Sequence, residues 1–411
     1  MSKRVIRAVP AAIVAGAIVF AAGPARADTT DFADLQAGIG YSSNPHLLLN
    51  SSSSAFGRLS AYGDHTWRSG VGHTSLTAYV ENTSYVNNYG SKQIFDLGAF
   101  TRQAVSSNVT VFGRLGFSGD FAGQLANRIY YVPGGPPVTD PGEPPPPTSD
   151  YQDLLGLAGR QYRVQGEAGA SIHTDPKGTL SLNAGAEHFW FSGSRAASDY
   201  TIYFGTVGYD RVLSERTTLG GQLSLQHQDF ASGRNANIVN PALRLHSQLS
   251  ETITADLAVG VLVIDENGNG RSSNSVSPSF SGRICSTTAN SHFCFHVAHD
   301  AQSQLTAGLV NSGGRPTVST VVGASYYRHL SRNDTIQASL VGHHQKTVDN
   351  ILGQNFTSTY LTGVVGYDHK IGQRLSIGLT AGARKLYQPG PDPSMDLNGM
   401  VSVRYRVGDL L

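Results

Sequence analysis

Apolar and polar residues alternate along much of the chain, and the alternation is clearest in the stretch 375–407. Leu375 and Ile377 near its start, and Val401 and Val403 near its end, are each followed by one small or polar residue before the next apolar one. A period of two predicts a β-strand with one apolar and one polar face. Strands of roughly 10 residues with one face for lipid and one for water are typical of a transmembrane β-barrel.

The same pattern recurs along the rest of the chain, interrupted by short polar turns. Counting the amphipathic segments predicts an all-β fold, a transmembrane antiparallel up-and-down β-barrel of about 18 strands. A barrel of roughly 16 strands is the alternative, because the segments before Pro45 and around Cys285 have the weakest pattern. Barrels of this size generally enclose an aqueous lumen, so the architecture itself predicts a pore.

The N-terminal residues have the pattern of a secretory signal peptide. Lys3, Arg4 and Arg7 precede a short apolar stretch, and a small-x-small cleavage site ends at Ala27. Because the chain is secreted and has amphipathic strands throughout, we expect it to pass through the periplasm and insert into the outer membrane of a Gram-negative cell. The predicted domains are a signal peptide at 1–27 and an outer-membrane β-barrel at 28–411.

A proline-rich loop interrupts the strand pattern at 120–150. Eight of the 18 prolines fall between residues 132 and 149. Because proline cannot donate to a sheet ladder, we expect this loop to lie outside the barrel wall. Three interpretations remain open: an exposed loop, a constriction folded into the lumen, and a strip that binds a partner protein.

The composition narrows the class of protein. Only 14% of the residues are charged and the formal net charge is +1, which argues against an acidic disordered chain and against a basic nucleic-acid binder. No later stretch reaches the roughly 18 consecutive apolar residues that a membrane-spanning helix requires. The 47 glycines and 18 tyrosines suit tilted strands and interfacial aromatic girdles.

Arginine supplies 24 of the 30 basic residues. A guanidinium group can bind carboxylate or sulfate in a bidentate manner, so these residues fit an anionic solute, although arginine also packs well in a mixed-charge barrel wall. Strand alternation predicts that charged residues on the polar face line the lumen, where they either brace the wall by mutual pairing or form a charge ladder that sets selectivity. The candidate selectivity residues are Arg102, Arg114, Arg244, Arg384, Arg404 and Arg406. The other predicted lumen residues are Arg58, Asp96, Glu187, Asp210, His246 and Asp256.

The two cysteines, Cys285 and Cys294, flank a predicted turn and share the polar face of their strands. In an oxidising periplasm this arrangement predicts a cross-strand disulfide. The neighbouring His292, His296 and His299 raise a metal site as the alternative, but the spacing of structural zinc ligands is absent. We therefore predict no bound metal.

No motif predicts catalysis or a cofactor. The stretch 265–270 (DENGNG) matches the start of a calcium loop, but Val276 occupies the position that requires Glu, so a hairpin loop is the better interpretation. The sequence contains no G-x-S-x-G, no phosphate-binding glycine loop and no H-E-x-x-H. We therefore expect a protein that is not an enzyme.

The stretch 37–45 (AGIGYSSNP) resembles the first strand and loop of β-barrel porins of the second porin-like family. The hairpin pattern extends this resemblance over nearly the whole mature chain. Members of that family are often associated with exopolysaccharide biosynthesis and export clusters in proteobacteria, so the resemblance implies a conduit for polysaccharide. It implies no catalytic residue.

The leading hypothesis is therefore an outer-membrane channel for exopolysaccharide export with no chemistry of its own. The alternatives are an uptake porin, either general or specific for a solute, and a barrel that serves as a docking platform. An enzyme assembled from scattered Ser, His and Asp residues is the weakest hypothesis, because lone polar residues of a barrel usually line its lumen. The expected partners are outer-membrane lipid and lipopolysaccharide, with polysaccharide and periplasmic export components if the chain exports, and no nucleic acid.

Overall fold

A computed structural model describes the barrel and most of its connections. The described residues are 28–45, 47, 49, 52–87, 89–120, 160–192, 199–268, 271–302, 317–349, 354–388 and 390–408. The predicted signal peptide, most of the proline-rich loop, and the last two residues of the calcium-like stretch lie outside these ranges.

The described residues form 18 antiparallel β-strands, which confirms the predicted fold class and strand count. The two segments with the weakest sequence pattern are both strands, the first and the twelfth. The strands are β1 (Asp28–Ser42), β2 (Ser54–Ser69), β3 (Gly72–Tyr85), β4 (Ser91–Ala104), β5 (Val109–Asp120), β6 (Arg160–Asp175), β7 (Gly178–Ser192), β8 (Tyr200–Ser214), β9 (Thr217–Phe230), β10 (Asn235–Gln248), β11 (Ile253–Gly268), β12 (Arg271–Thr287), β13 (Ser291–Gln302), β14 (Thr317–His329), β15 (Asp334–Asp349), β16 (Gln354–Lys370), β17 (Leu375–Tyr387) and β18 (Asp396–Gly408).

Each strand is hydrogen-bonded to the next along the chain, and β1 also pairs with β18, so the sheet closes on itself. At this seam Phe32 lies opposite Gly408, and Ser42 lies opposite Asn398. Closure leaves no strand edge unpaired, which is what a sheet surrounded by lipid requires.

The two ends of the barrel differ in their connections. We call the end that carries Asp28 and Gly408 the terminal rim and the opposite end the loop rim. The terminal rim has only short turns, at 70–71, 105–108, 176–177, 215–216, 249–252, 288–290, 330–333 and 371–374. The loop rim carries all the longer connections, at 43–53, 86–90, 121–159, 193–199, 303–316 and 388–395, together with three short ones at 231–234, 269–270 and 350–353.

Large apolar side chains cover the outer face of the barrel. Ile39, Leu59, Leu243 and Leu340 are each more than 60% exposed, although an exposed aliphatic surface of this extent is unfavourable in water. Aromatic side chains flank this apolar band at both ends, as is typical of barrels in a bilayer. Those near the terminal rim include Trp67, Tyr209, Phe293, Tyr367 and Tyr405, and those near the loop rim include Tyr41, Phe95, Phe117, Tyr162 and Trp190.

The aromatic side chains near the loop rim contact one another across four strands. The ring centroids of Phe95 and Phe117 lie 4.9 Å apart, and those of Tyr162 and Trp190 lie 5.5 Å apart. In the part of the chain that the structure describes, no helix has the length and the hydropathy needed to cross a bilayer.

Candidate functional site: the barrel lumen

The polar faces of the strands line the lumen. The strand register aligns Arg58 with Thr83, and Asp210 with Gly220 and Arg244, on the face opposite the exposed aliphatic residues. The same register places every charged residue predicted for the lumen on this inner face. Whether any of them sets selectivity remains a prediction.

Most lumen arginines contact a carboxylate. Two hydrogen bonds of 2.7 and 2.8 Å join Arg406 to Asp34 across the β1–β18 seam, and the same guanidinium lies 4.5 Å from the ring centroid of Phe32. Because these charges are compensated locally, the contacts favour the bracing role over a free charge ladder. Further pairs among the described residues are Arg58–Glu81, Arg163–Glu187, Arg244–Asp210, Arg283–Asp256, Arg384–Asp396 and Arg404–Asp368.

Two of these ion pairs reach over an intervening strand at a glycine. Arg244 on β10 contacts Asp210 on β8, and Gly220 of β9 lies between them in register. Arg404 on β18 lies 3.1 Å from the Asp368 carboxylate on β16, across β17. A Cβ atom at Gly378 of β17 would lie only 3.1 Å from that carboxylate. The lack of a side chain at Gly220 and Gly378 therefore leaves room for each ion pair to span the intervening strand.

The remaining two candidate arginines are Arg114 and Arg102. The Arg114 guanidinium lies 5.9 Å from the ring centroid of Phe100, and the residue is opposite Glu167 in register. Arg102 lies near the terminal rim, is exposed, and has no carboxylate within ion-pair distance among the described residues.

A turn after β1 folds toward the lumen at the loop rim. We call Ser43, Asn44, Pro45 and Leu47 the inward turn. Its backbone turns where the Leu47 N–H donates to the Asn44 carbonyl oxygen at 3.2 Å, with Leu47 at a φ of 49°. These four residues coincide in part with the SSNP motif of the sequence.

A buried ion pair fixes the inward turn to the wall. Arg384 donates through Nε and Nη2 to Asp396 Oδ2, at 2.9 and 2.6 Å, and through Nη2 to the Pro45 carbonyl oxygen at 3.1 Å. Asp396 Oδ1 accepts from the Ser42 hydroxyl at 2.6 Å and from the Asn44 backbone N–H at 2.9 Å. Asp396 is fully buried, and every one of these contacts satisfies a group that would otherwise be costly to bury.

An apolar contact completes the attachment. Leu47 packs against Tyr360 of β16 and Leu386 of β17, and all three are buried. Since Tyr360 and Leu386 are opposite each other in register on the inner face, Leu47 lies over the lumen wall. The inward turn therefore narrows the lumen beside the β1–β18 seam.

The burial of inward-facing side chains differs between the loop rim and the terminal rim. Near the loop rim, the inward-facing Ile202, Gln228 and Leu262 are at most 3% exposed. Near the terminal rim, the inward-facing His173 and Gln248 are exposed. A few inward-facing residues near the terminal rim, such as Ser376 and Cys285, are also buried, but most of the buried inward-facing residues lie near the loop rim. The described lumen wall is therefore more covered toward the loop rim than toward the terminal rim.

Part of the buried wall near the loop rim is apolar, which the sequence analysis missed. Phe189, Tyr200, Ile202 and Phe230 form one buried cluster on β7, β8 and β9. A second cluster follows on β10 and β11. Its members are Ile238, Leu262 and Ile264. A continuous apolar run such as 261–264 (VLVI) signals a strand with apolar residues on both faces, so the sequence carried this information.

Cys285 and Cys294 form a disulfide between β12 and β13, directly opposite each other, with a Cα–Cα distance of 4.1 Å. The Nε2 atom of His292 lies 2.9 Å from Cys294 Sγ. These three residues could hold a metal ion only if the disulfide were reduced, because disulfide sulfurs are not thiolate ligands. The arrangement is therefore a cross-strand link inside the lumen.

A Ser, His and Asp group does converge at the terminal rim, but in an order that does not support nucleophilic catalysis. The Asp334 carboxylate contacts both the Ser331 hydroxyl and, at 2.8 Å, His369 Nδ1. In a catalytic relay the imidazole lies between the hydroxyl and the carboxylate. Here the carboxylate lies between the other two groups and fixes the turn.

The comparisons with known proteins give structural likeness only. No protein-family model matches the chain, and no curated protein matches its sequence. The chain is similar to the crystal structure of Pseudomonas aeruginosa OpdK with vanillate, with 12% identity, a TM-score of 0.46, and coverage of 92% of this chain and 98% of that one.

It is also similar to Acinetobacter baumannii OccAB2, with 9% identity, a TM-score of 0.46, and coverage of 92% of this chain and 98% of that one. A third similar structure is the siderophore receptor PirA from Pseudomonas aeruginosa, with 11% identity, a TM-score of 0.43, and coverage of 93% and 81%. The fold described above rests on the strand pairing of this chain itself.

Proposed function

We propose that this chain is an outer-membrane channel for the uptake of small polar solutes, with the terminal rim in the periplasm and the loop rim at the cell surface. The assignment of the two rims is supported by their connections, because outer-membrane barrels have short periplasmic turns and longer outer loops. The apolar outer face and its two aromatic belts support insertion into a bilayer.

The gradient of burial along the lumen wall carries the proposal. A lumen whose wall is more covered near the loop rim, where the inward turn lies, than near the terminal rim suits selective passage of small solutes. A polymer would need a conduit that is wide along its whole length. The export of exopolysaccharide, which the sequence resemblance implies, is for this reason the less favoured alternative.

Single-channel conductance in planar bilayers tests the proposal. We expect the purified protein to conduct, and we expect Leu47→Ser to increase the conductance, because it removes the apolar contact that holds the inward turn. Leu49→Ser is the matched control, since Leu49 is 49% exposed and close by in the chain. Absence of conductance in all three proteins would refute a channel and favour a docking platform.

Solute size separates uptake from export. Proteoliposomes should admit small sugars and amino acids and should retain an enclosed dextran. Passage of dextran through the unmodified protein would contradict the uptake proposal and favour export of a polymer.

A further inference from the structure

Three basic side chains form a row on the lumen wall at the terminal rim. In the strand register Arg68 of β2 lies opposite His73 of β3, which in turn lies opposite Arg102 of β4. The register places the three side chains side by side on the inward face of three consecutive strands. Both arginines are exposed and His73 is half-buried.

This row stands out because most other lumen arginines contact a carboxylate. Neither the Arg68 nor the Arg102 guanidinium group has a hydrogen bond or an ion pair to a described side chain, in contrast to the arginines bound to carboxylates elsewhere in the wall. The two guanidinium groups lie on strands separated by β3, with His73 between them in register. Like charges repel each other, and an anion bound between the two groups would relieve that repulsion.

We propose that Arg68, His73 and Arg102 bind small solutes that carry an oxyanion, either a carboxylate or a phosphate. The planar guanidinium presents paired N–H donors that match two oxygens of such a group. The Cα atoms of the two arginines are separated by two strand spacings, roughly 10 Å, which long side chains bridge to hold one anion above His73. The role of this site in transport rests on the proposed function, whereas binding itself does not.

Among the described residues, Asp28 is the carboxylate that the register brings opposite this row, because it pairs with Arg68 at the start of β1. If Asp28 neutralised Arg68, its removal would strengthen anion binding. The variant Asp28→Asn therefore tests whether the site is available in the protein as it stands.

The experiment is calorimetric titration of the folded, detergent-solubilised protein with succinate and, separately, with inorganic phosphate. We expect at least one of the two anions to bind, and the double variant Arg68→Gln/Arg102→Gln to weaken that binding about tenfold or more, since it removes both groups that donate charge-assisted hydrogen bonds to the anion. The matched control is Arg328→Gln, which removes an exposed arginine at the same rim from the outer face. Heat-modifiable mobility in gels verifies that each variant is folded.

The outcomes separate the two proposals. The site is supported if either anion binds, if the double variant loses that binding, and if Arg328→Gln and Asp28→Asn retain it unchanged. The anion that binds more tightly is then the oxyanion that the site prefers. The site is refuted if neither anion binds, if the double variant binds as well as the unmodified protein, or if Asp28→Asn binds much more tightly. Conductance without anion binding would support the channel and refute only the anion site. Anion binding without conductance would support the anion site and refute the channel.

Discussion

Arg384 and Asp396 form a buried ion pair that joins three separate parts of the chain. Asp396 begins β18, Arg384 lies near the end of β17, and the same network reaches Asn44 and the Pro45 carbonyl oxygen after β1. The pair therefore lies where the barrel closes and where the inward turn narrows the lumen. A buried pair with all its hydrogen bonds made is sensitive to loss of either partner.

The variant Asp396→Asn should be strongly destabilising. It leaves the Arg384 charge buried without a counter-charge, which costs about 3–5 kcal/mol. Urea-induced unfolding from lipid vesicles measures the change in the free energy of unfolding. Asp392→Asn, in the exposed loop before β18, is the matched control and should have little effect. Equal stability of the two variants would show that the ion pair does not hold the seam.

Gly378 should resist replacement by a larger residue. A Cβ atom there would lie 2.9 Å from Ser402 Oγ and 3.1 Å from Asp368 Oδ1, so Gly378→Val obstructs the ion pair from Arg404 to Asp368. We expect a loss of about 1–3 kcal/mol, the usual cost of overpacking. Gly399→Val on the adjacent strand is the control, because a Cβ atom there meets only the Thr380 carbonyl oxygen at 3.5 Å. A similar loss in both variants would attribute the effect to glycine in general.

The sequence contained the information for the fold because a period of two is a local property. The alternation around Leu375 and Val401 assigns one face to lipid and one to the lumen without knowledge of any partner strand. Neutralisation of the arginines is not local. Arg406 contacts a carboxylate 372 residues away in sequence, and only the closed register brings the two together. The inward turn likewise depends on closure of the barrel at the β1–β18 seam, so no sequence pattern predicted it.

The outer face should reject charge and the inner face should accept it. Leu340, on β15, is 64% exposed on the apolar face, and the adjacent Ser339 faces the lumen. Leu340→Arg should cost about 2–4 kcal/mol near the bilayer midplane, whereas Ser339→Arg should cost much less because it places the guanidinium toward water. Unfolding from lipid vesicles compares the two. A larger loss for Ser339→Arg would reverse the assignment of the two faces.

The disulfide should stabilise the barrel without controlling passage through it. Cys285 and Cys294 are separated by nine positions, and closing a loop of that length contributes about 2–3 kcal/mol in the chain-entropy model. The double variant Cys285→Ser/Cys294→Ser should lose about this much stability in urea unfolding from vesicles and should keep the conductance of the unmodified protein, because the link lies along the wall between neighbouring strands. Reduction of the unmodified protein is the matched comparison and should give the same loss. A change in conductance after either treatment would instead make the link part of the pore's constriction.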